Sequence, residues 1–245
     1  NCLRKEGVQL FTGTQLHHFS EDGNEKIAHF SQRGTEHTAA GQLVFQALGR
    51  RPNIASMGIE NTGINLYEGA IDVDDEMRTN QPHIFAIGDV NSMHEIVHIA
   101  IQQGEIAGYN ATHTNEPPLH MDPRLRAQVT FTDPALASVG NSEKDCLTQD
   151  IPYLVASYPF DDHGKSITMG ITDGHIKLLC EPQTGELLGA HIVGPEAGEL
   201  IHELIAVMYF RGTVRDLLQI PHYHPTLSEI VTYPAEELVE KLSRI

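Results

Sequence analysis

The stretch that most limits what this chain can become is "GHIKLLCEPQTGELLGAHIVG", residues 174–194. Two apolar runs flank Pro182-Gln183-Thr184-Gly185, and runs joined by turn residues in this way fold back as an antiparallel pair. A lone hairpin is marginal in water, so it needs further strands and a covering layer. Both lie nearby. In "AQVTFT" (127–132), Ala127, Val129 and Phe131 alternate with Gln128, Thr130 and Thr132, the period of a half-buried strand. In "EAGELIHELIAVMYF" (196–210), Leu200, Ile201, Leu204, Ile205, Met208 and Tyr209 form one stripe at helical spacing. The tail "HPTLSEIVTYPAEELVEKLSRI" carries two helical segments, the second expected to begin at Pro234. This half therefore reads as an antiparallel sheet packed by helices.

The first half has another grain. "VQLFTG" (8–13) and "HHFSEDGNEKIAHF" (17–30) read as short strands, with Glu21-Asp22-Gly23-Asn24 as the turn of a hairpin or meander. "GQLVFQALGRRPN" (41–53) suggests a buried strand leading to a surface crossing, and residues 54–80 are loop-rich and polar. "HIFAIGDV" (83–90) reads as a buried strand stopping at Gly88-Asp89, followed by a helical pattern from about Met93 to Ala111. Such a strand-turn-helix unit puts its polar tip at the carboxyl edge of a sheet, where α/β proteins bind ligands. Proline density rises through "NEPPLHMDPR" (115–124), which reads as a linker.

Sixteen basic against thirty-three acidic residues leave a formal charge of −17, which argues against nucleic acid or an anionic membrane surface as partner. No apolar run approaches a membrane span and the start lacks a signal-peptide layout, so a cytoplasmic protein is expected. Cys2, Cys146 and Cys180 are too scattered for a metal knuckle or a CxxC pair and read as reduced, mostly structural thiols. Asn1 is not an initiator methionine, so a piece of a longer protein is expected.

His94-Glu95-Ile96-Val97-His98 matches the H-E-x-x-H pattern of zinc peptidases, in which two imidazoles on one helical face hold a metal and the glutamate acts as base. Here the pattern opens a helix directly after a strand-turn, and no third ligand follows as in HExxHxxGxxH. Solvated or satisfied histidines are the simpler expectation. His222 and His224 also lack a third metal ligand at sensible spacing.

"GRRPN" (49–53), "IDVDDEMRTNQPHIFAIGDV" (71–90), "AIQQGEIAG" (100–108), "FTDPALASVG" (131–140), "GHIKLLCEPQTGELLGAHIVGPEAGELI" (174–201) and "HPTLSE" (224–229) occur in this order. The series closely resembles the C-terminal half of the flavin-dependent pyridine nucleotide-disulphide oxidoreductases, in the branch of dihydrolipoamide dehydrogenase and mercuric reductase. The resemblance implies a partial FAD/NAD(P)-binding α/β domain followed by an α+β dimerisation domain with an antiparallel sheet. Residues 1–46 would be the end of the NAD(P)-binding domain, 47–121 the returning segment of the FAD-binding domain, and 122–245 the interface domain of a homodimer.

On the same resemblance, Gly88 and Asp89 would meet the ribityl chain of FAD, and Ile96, Val97 and His98 would lie along the flavin. His224 would be the acid-base that exchanges a proton with a thiol, and Glu229 would hold its imidazole. A histidine suits that work because its pKa lies near neutrality and a carboxylate can fix its tautomer. Thr226-x-x-Glu229 equally fits a helix capping box, and both readings can hold together.

The sequence departs from the family in places. The family's redox-active CxxxxC and its two GxGxxG motifs are absent, so this stretch alone is expected to hold no FAD in the usual way and has no disulphide to reduce. The missing N-terminal half would supply them. Leu48 stands where the family's "ATGR" has threonine, and the paired C-terminal cysteines of mercuric reductase are absent from "VEKLSRI". The alternatives left open are a catalytically inert dimerisation module and, remotely, a zinc hydrolase using His94, His98 and Glu95.

Overall fold

A computed structural model describes residues 2–244, which divide into two compact units, one ending at Arg51 and one beginning at Pro52. The first opens with a single helical turn, α1 (Cys2–Lys5), and is otherwise a meander of β1 (Thr14–Asp22), β2 (Glu25–Gln32) and β3 (Thr35–Gly41). Asp22 pairs with Glu25 across Gly23-Asn24, so the expected turn is where the strands reverse. Phe30 is buried beneath Phe11 and His37, with ring centroids 5.0 and 5.7 Å away.

Two expected strands of this unit are not formed. Residues 8–13 and 43–51 carry no strand, and Phe45 is 90% exposed with Leu43 and Leu48 beside it. An apolar run becomes a buried strand only when neighbours pair with its backbone and cover both faces, and among the described residues none pairs with this run.

In the second unit, β4 (Leu66–Tyr67) and β5 (Ala70–Ile71) form a minimal hairpin turning on Glu68 and Gly69, both at positive φ. The expected strand at 83–90 is extended chain with one bridge, Arg78 to Phe85, and Gly88–Asn91 is a 3-10 turn. Helix α2 (Val97–Thr112) follows, beginning four residues later than the sequence pattern suggests. Ile99, Ile106 and Ala107 pack with Met77 and Met121 into a small core. The proline-rich 115–124 is pinned rather than loose: Asn110 donates to the carbonyls of Glu76 and Leu119 and accepts from the Leu119 N–H.

The rest is one five-stranded antiparallel sheet with helices against one face. In chain order come β6 (Ala127–Thr130), β7 (Ala135–Gly140), α3 (Glu143–Thr148), β8 (Leu154–Pro159), α4 (Gly164–Met169), β9 (His175–Cys180), β10 (Leu187–Gly194), α5 (Ala197–Tyr209), α6 (Val214–Gln219) and α7 (Thr232–Leu242). The strand order is β6-β7-β10-β9-β8, with the expected β9–β10 hairpin inside it.

Register explains the core. Ala127, Val139, Ala190, Leu178 and Ala156 line up across all five strands, as do Val129, Ala137, Ile192, Ile176 and Tyr158. These rows share a face with Ile201, Leu204 and Met208 of α5 and Leu238 of α7. The intervening row of Gln128, Ser138, His191, Lys177 and Ser157 points the other way, as the two-residue period of a strand requires.

Two local expectations are corrected. Strand β6 stops at Thr130, so Phe131 is 92% exposed rather than inward, because alternation fixes a side only while the strand lasts. Helix α7 begins at Thr232 and not at Pro234. A 3-10 turn over Ser228–Val231 runs straight into it, and proline is tolerated within the first helical turn, where its missing N–H costs nothing. Among the described residues, no helix is long and apolar enough to cross a membrane.

Candidate functional site

Helix α6 is opened by a capping box in which Thr213 Oγ1 accepts from the Asp216 N–H and the Asp216 carboxylate accepts from the Thr213 N–H. It ends before Pro221, and a connecting segment leads to the turn at Ser228. Along it, His222 points inward while Tyr223 and His224 point out.

Glu229 organises the outer end. Its Oε1 lies 2.8 Å from His224 Nδ1, and its Oε2 accepts from the Thr226 N–H at 2.7 Å. Half of the expected capping box is thus present. The reciprocal half is not, because Thr226 Oγ1 pairs with Ser228 Oγ at 3.0 Å. The Thr226 N–H, working against desolvation and helped by His224, holds the Glu229 carboxyl below its ordinary pKa. An ionised carboxylate only accepts, so His224 Nδ1 carries the proton and Nε2 is left as acceptor when the ring is neutral. The His224 side chain is 83% exposed, so Nε2 can meet a second molecule.

Buried His163 stands behind Glu229. Its Nδ1 pairs with Ser166 Oγ at 2.8 Å and its ring meets the edge of Tyr233, which stacks on Tyr158. Burial pushes the His163 pKa down, and the Glu229 charge pulls it partly back.

The inner end is held by a second pair. His222 Nε2 lies 2.8 Å from Glu203 Oε1, with the histidine side chain 8% exposed. Sequence reading weighed His222 only as a metal ligand and missed Glu203 altogether, since no local spacing links a residue of α5 to one after α6.

The other expected site residues gather at the start of α2. Gly88 is buried at φ 70°, and its N–H donates to Gln103 Oε1 at 2.6 Å. Asn91 Nδ2 donates to the same oxygen at 3.1 Å. These two donors fix the amide orientation, leaving Gln103 Nε2 buried without a partner. Asp89 is exposed on the turn, Val97 and His98 are exposed in the first turn of α2, and Ile96 precedes that turn without capping it by a side chain.

The zinc geometry is not formed. His94 and Glu95 precede the helix and His98 is its second residue, so the two imidazoles do not share a helical face. His94 instead lines a cavity of about 450 Å³ with Arg126, His175 and His191, where burial and then Arg126 push its pKa down. Among the described residues, no cluster of three His, Cys, Asp or Glu side chains could hold a metal ion.

Residues 1–104 match the family described as Pyridine nucleotide-disulphide oxidoreductase, and residues 126–235 match its dimerisation domain. The chain belongs to the pyridine nucleotide-disulphide oxidoreductases. It is 36% identical over 235 residues to dihydrolipoyl dehydrogenase of Corynebacterium glutamicum, covering 94% of this chain and 50% of that protein. It is 34% identical over 240 residues to dihydrolipoyl dehydrogenase of Thermus scotoductus, covering 97% and 51%. The crystal structure of LpdA from Mycobacterium tuberculosis superposes with a TM-score of 0.84 at 27% identity, over 97% of this chain and 51% of that one. The chain spans about half the length of the curated relatives it matches.

Members of this family use FAD and NAD(P), and the residues at the start of α2 fit the flavin nucleotide. Among the described residues, the buried Gln103 Nε2 has no partner there, and Ile96 places no side-chain cap on the start of α2. Uncapped N–H groups at a helix start are suited to an electron-rich ligand edge. Gly88 lets the backbone pass close to Ala100, where a Cβ would be in contact.

Proposed function

We propose that this chain is the C-terminal portion of an FAD-dependent NAD(P)-disulphide oxidoreductase of the dihydrolipoyl dehydrogenase kind, contributing a His224–Glu229 acid-base dyad and a dimer interface. In this reading, residues 1–46 close the NAD(P)-binding domain, 47–121 return to the FAD-binding domain, and 122–245 form a homodimer's interface domain. The observation that carries it is an exposed imidazole whose Nδ1 is tied to a carboxylate at 2.8 Å, leaving Nε2 outward.

Bound FAD, held by Asp89 and the backbone of Ile96, Val97 and His98, would supply the two-electron chemistry linking a nicotinamide nucleotide to a disulphide. This chain's part is proton handling. His224 Nε2 takes the proton of a substrate thiol, leaving a thiolate as nucleophile, and Glu229 stabilises the imidazolium so formed. In the reverse direction the imidazolium returns that proton to the departing thiolate. The cysteine pair that exchanges with the thiol is absent from this sequence and would lie in a preceding segment, which the coding DNA upstream of Asn1 can be read to find.

In the intact protein, His224→Gln is expected to lower dithiol–disulphide turnover about 10²- to 10⁴-fold, with flavin reduction by nucleotide largely kept. Equal loss of both half-reactions would remove the role. A colourless, dimeric preparation whose gene holds no upstream cysteine pair would favour an inert dimerisation module instead.

A further inference from the structure

We propose that the His222–Glu203 pair is a positioning device that sets the place of His224. The inference rests on the reading of His224 as the acid-base group.

Among the described residues, positions 221–226 make no backbone–backbone hydrogen bond. Pro221 and Pro225 have no N–H to give. The segment is therefore held by side-chain ties at alternate residues: His222 to Glu203, His224 to Glu229, and the Thr226 N–H to Glu229. The last two secure the segment's exit, because Glu229 lies in the 3-10 turn whose Ile230 and Val231 are buried in the core. Glu203 differs in kind. It sits on α5 between Ile201 and Leu204, which are buried against the sheet, so the His222 tie fastens the segment's entrance to a separate element of the core.

The chemistry suits a fixed tether. A carboxylate can only accept, so His222 Nε2–H donates to it, and the charged acceptor makes this one of the stronger hydrogen bonds available. The His222 side chain is 8% exposed, so breaking the bond would leave a buried ring N–H without its partner. Two residues on, exposed His224 inherits that placement through Tyr223. Without the tie, the segment's entrance would be free to shift relative to α5 while Glu229 stayed on the core, and His224 Nε2 would no longer be held in one place for the thiol.

The test uses the full-length flavoprotein and separates the bond from the bulk of the ring. His222→Phe keeps the volume and removes the donor. His222→Gln keeps an N–H near the position of Nε2 and removes the ring. With the dithiol as substrate, His222→Phe and Glu203→Ala are expected to lower kcat about ten- to a hundredfold, with KM for the dithiol little changed and flavin reduction by nucleotide intact. His222→Gln is expected to recover most of kcat. Wild-type kcat in His222→Phe overturns the proposal, as does an order in which Phe outperforms Gln, since that marks the ring as filling alone. Equal loss of both half-reactions also overturns it. If His224→Gln itself leaves turnover untouched, the acid-base reading fails and the tether has nothing to position.

Discussion

Glu229 binds His224 with one carboxylate oxygen and the Thr226 N–H with the other, so one side chain both orients an imidazole and fixes the turn that carries it. Its pKa lies below the ordinary carboxylate value of 4.5 in the folded chain. A depressed folded pKa means stability that is present above the unfolded value and lost as pH falls through the folded one. The wild-type advantage over Glu229→Gln in urea midpoint should thus be full near pH 7 and fade below about pH 4.5. An advantage that grew on acidification would contradict this assignment.

Gln103 gives a second expectation. Its Oε1 serves the buried Gly88 N–H and Asn91 amide, so Gln103→Leu strands the Gly88 N–H and leaves the Asn91 amide only the Ala86 carbonyl. Stability should drop by about 2 kcal/mol or more, read from chemical denaturation. An unchanged midpoint would mean that the Gly88 turn is held by other contacts.

Two glycines should respond to alanine with opposite signs. A Cβ at Gly194 would land in the buried Phe160 ring, whereas at Gly108, inside α2, it meets nothing. Gly194→Ala should cost about 1–3 kcal/mol through overpacking. Gly108→Ala should gain up to about 1 kcal/mol from helix propensity. Melting temperatures of the pair, measured side by side, decide both.

The thiols should react in order of exposure. Cys146 and Cys180 are buried, and burial pushes the Cys180 thiol up to about 11. At pH 8 only on the order of one part in a thousand of such a thiol is thiolate. A chromogenic disulphide reagent should therefore label Cys2 in the native chain and the other two only after denaturation. Rapid native labelling of Cys180 would show that β9 opens readily.

Short-range patterns in the sequence determined a large part of this molecule. The β9–β10 hairpin, the meander turn at Gly23-Asn24, the buried Ile201, Leu204 and Met208 of α5 and the half-box between Thr226 and Glu229 follow from spacing, because their partners lie within a few residues or one strand of each other, whereas Tyr209 of the same expected stripe is exposed. The His224–Glu229 contact is expected from the family resemblance, and the two side chains meet at 2.8 Å. Tertiary structure decided what depends on distant partners. It left 43–51 without strand pairing and gave 83–90 only the single bridge from Phe85 to Arg78, since an apolar run does not say which neighbours will receive its backbone. It started α2 at Val97 and so took His94 and Glu95 off the helix, because the 3-10 turn and extended residues before it use the chain that a periodic pattern would count as helical. It also brought Glu203 to His222 across nineteen residues, a contact made by packing α5 on the sheet, which no local spacing encodes.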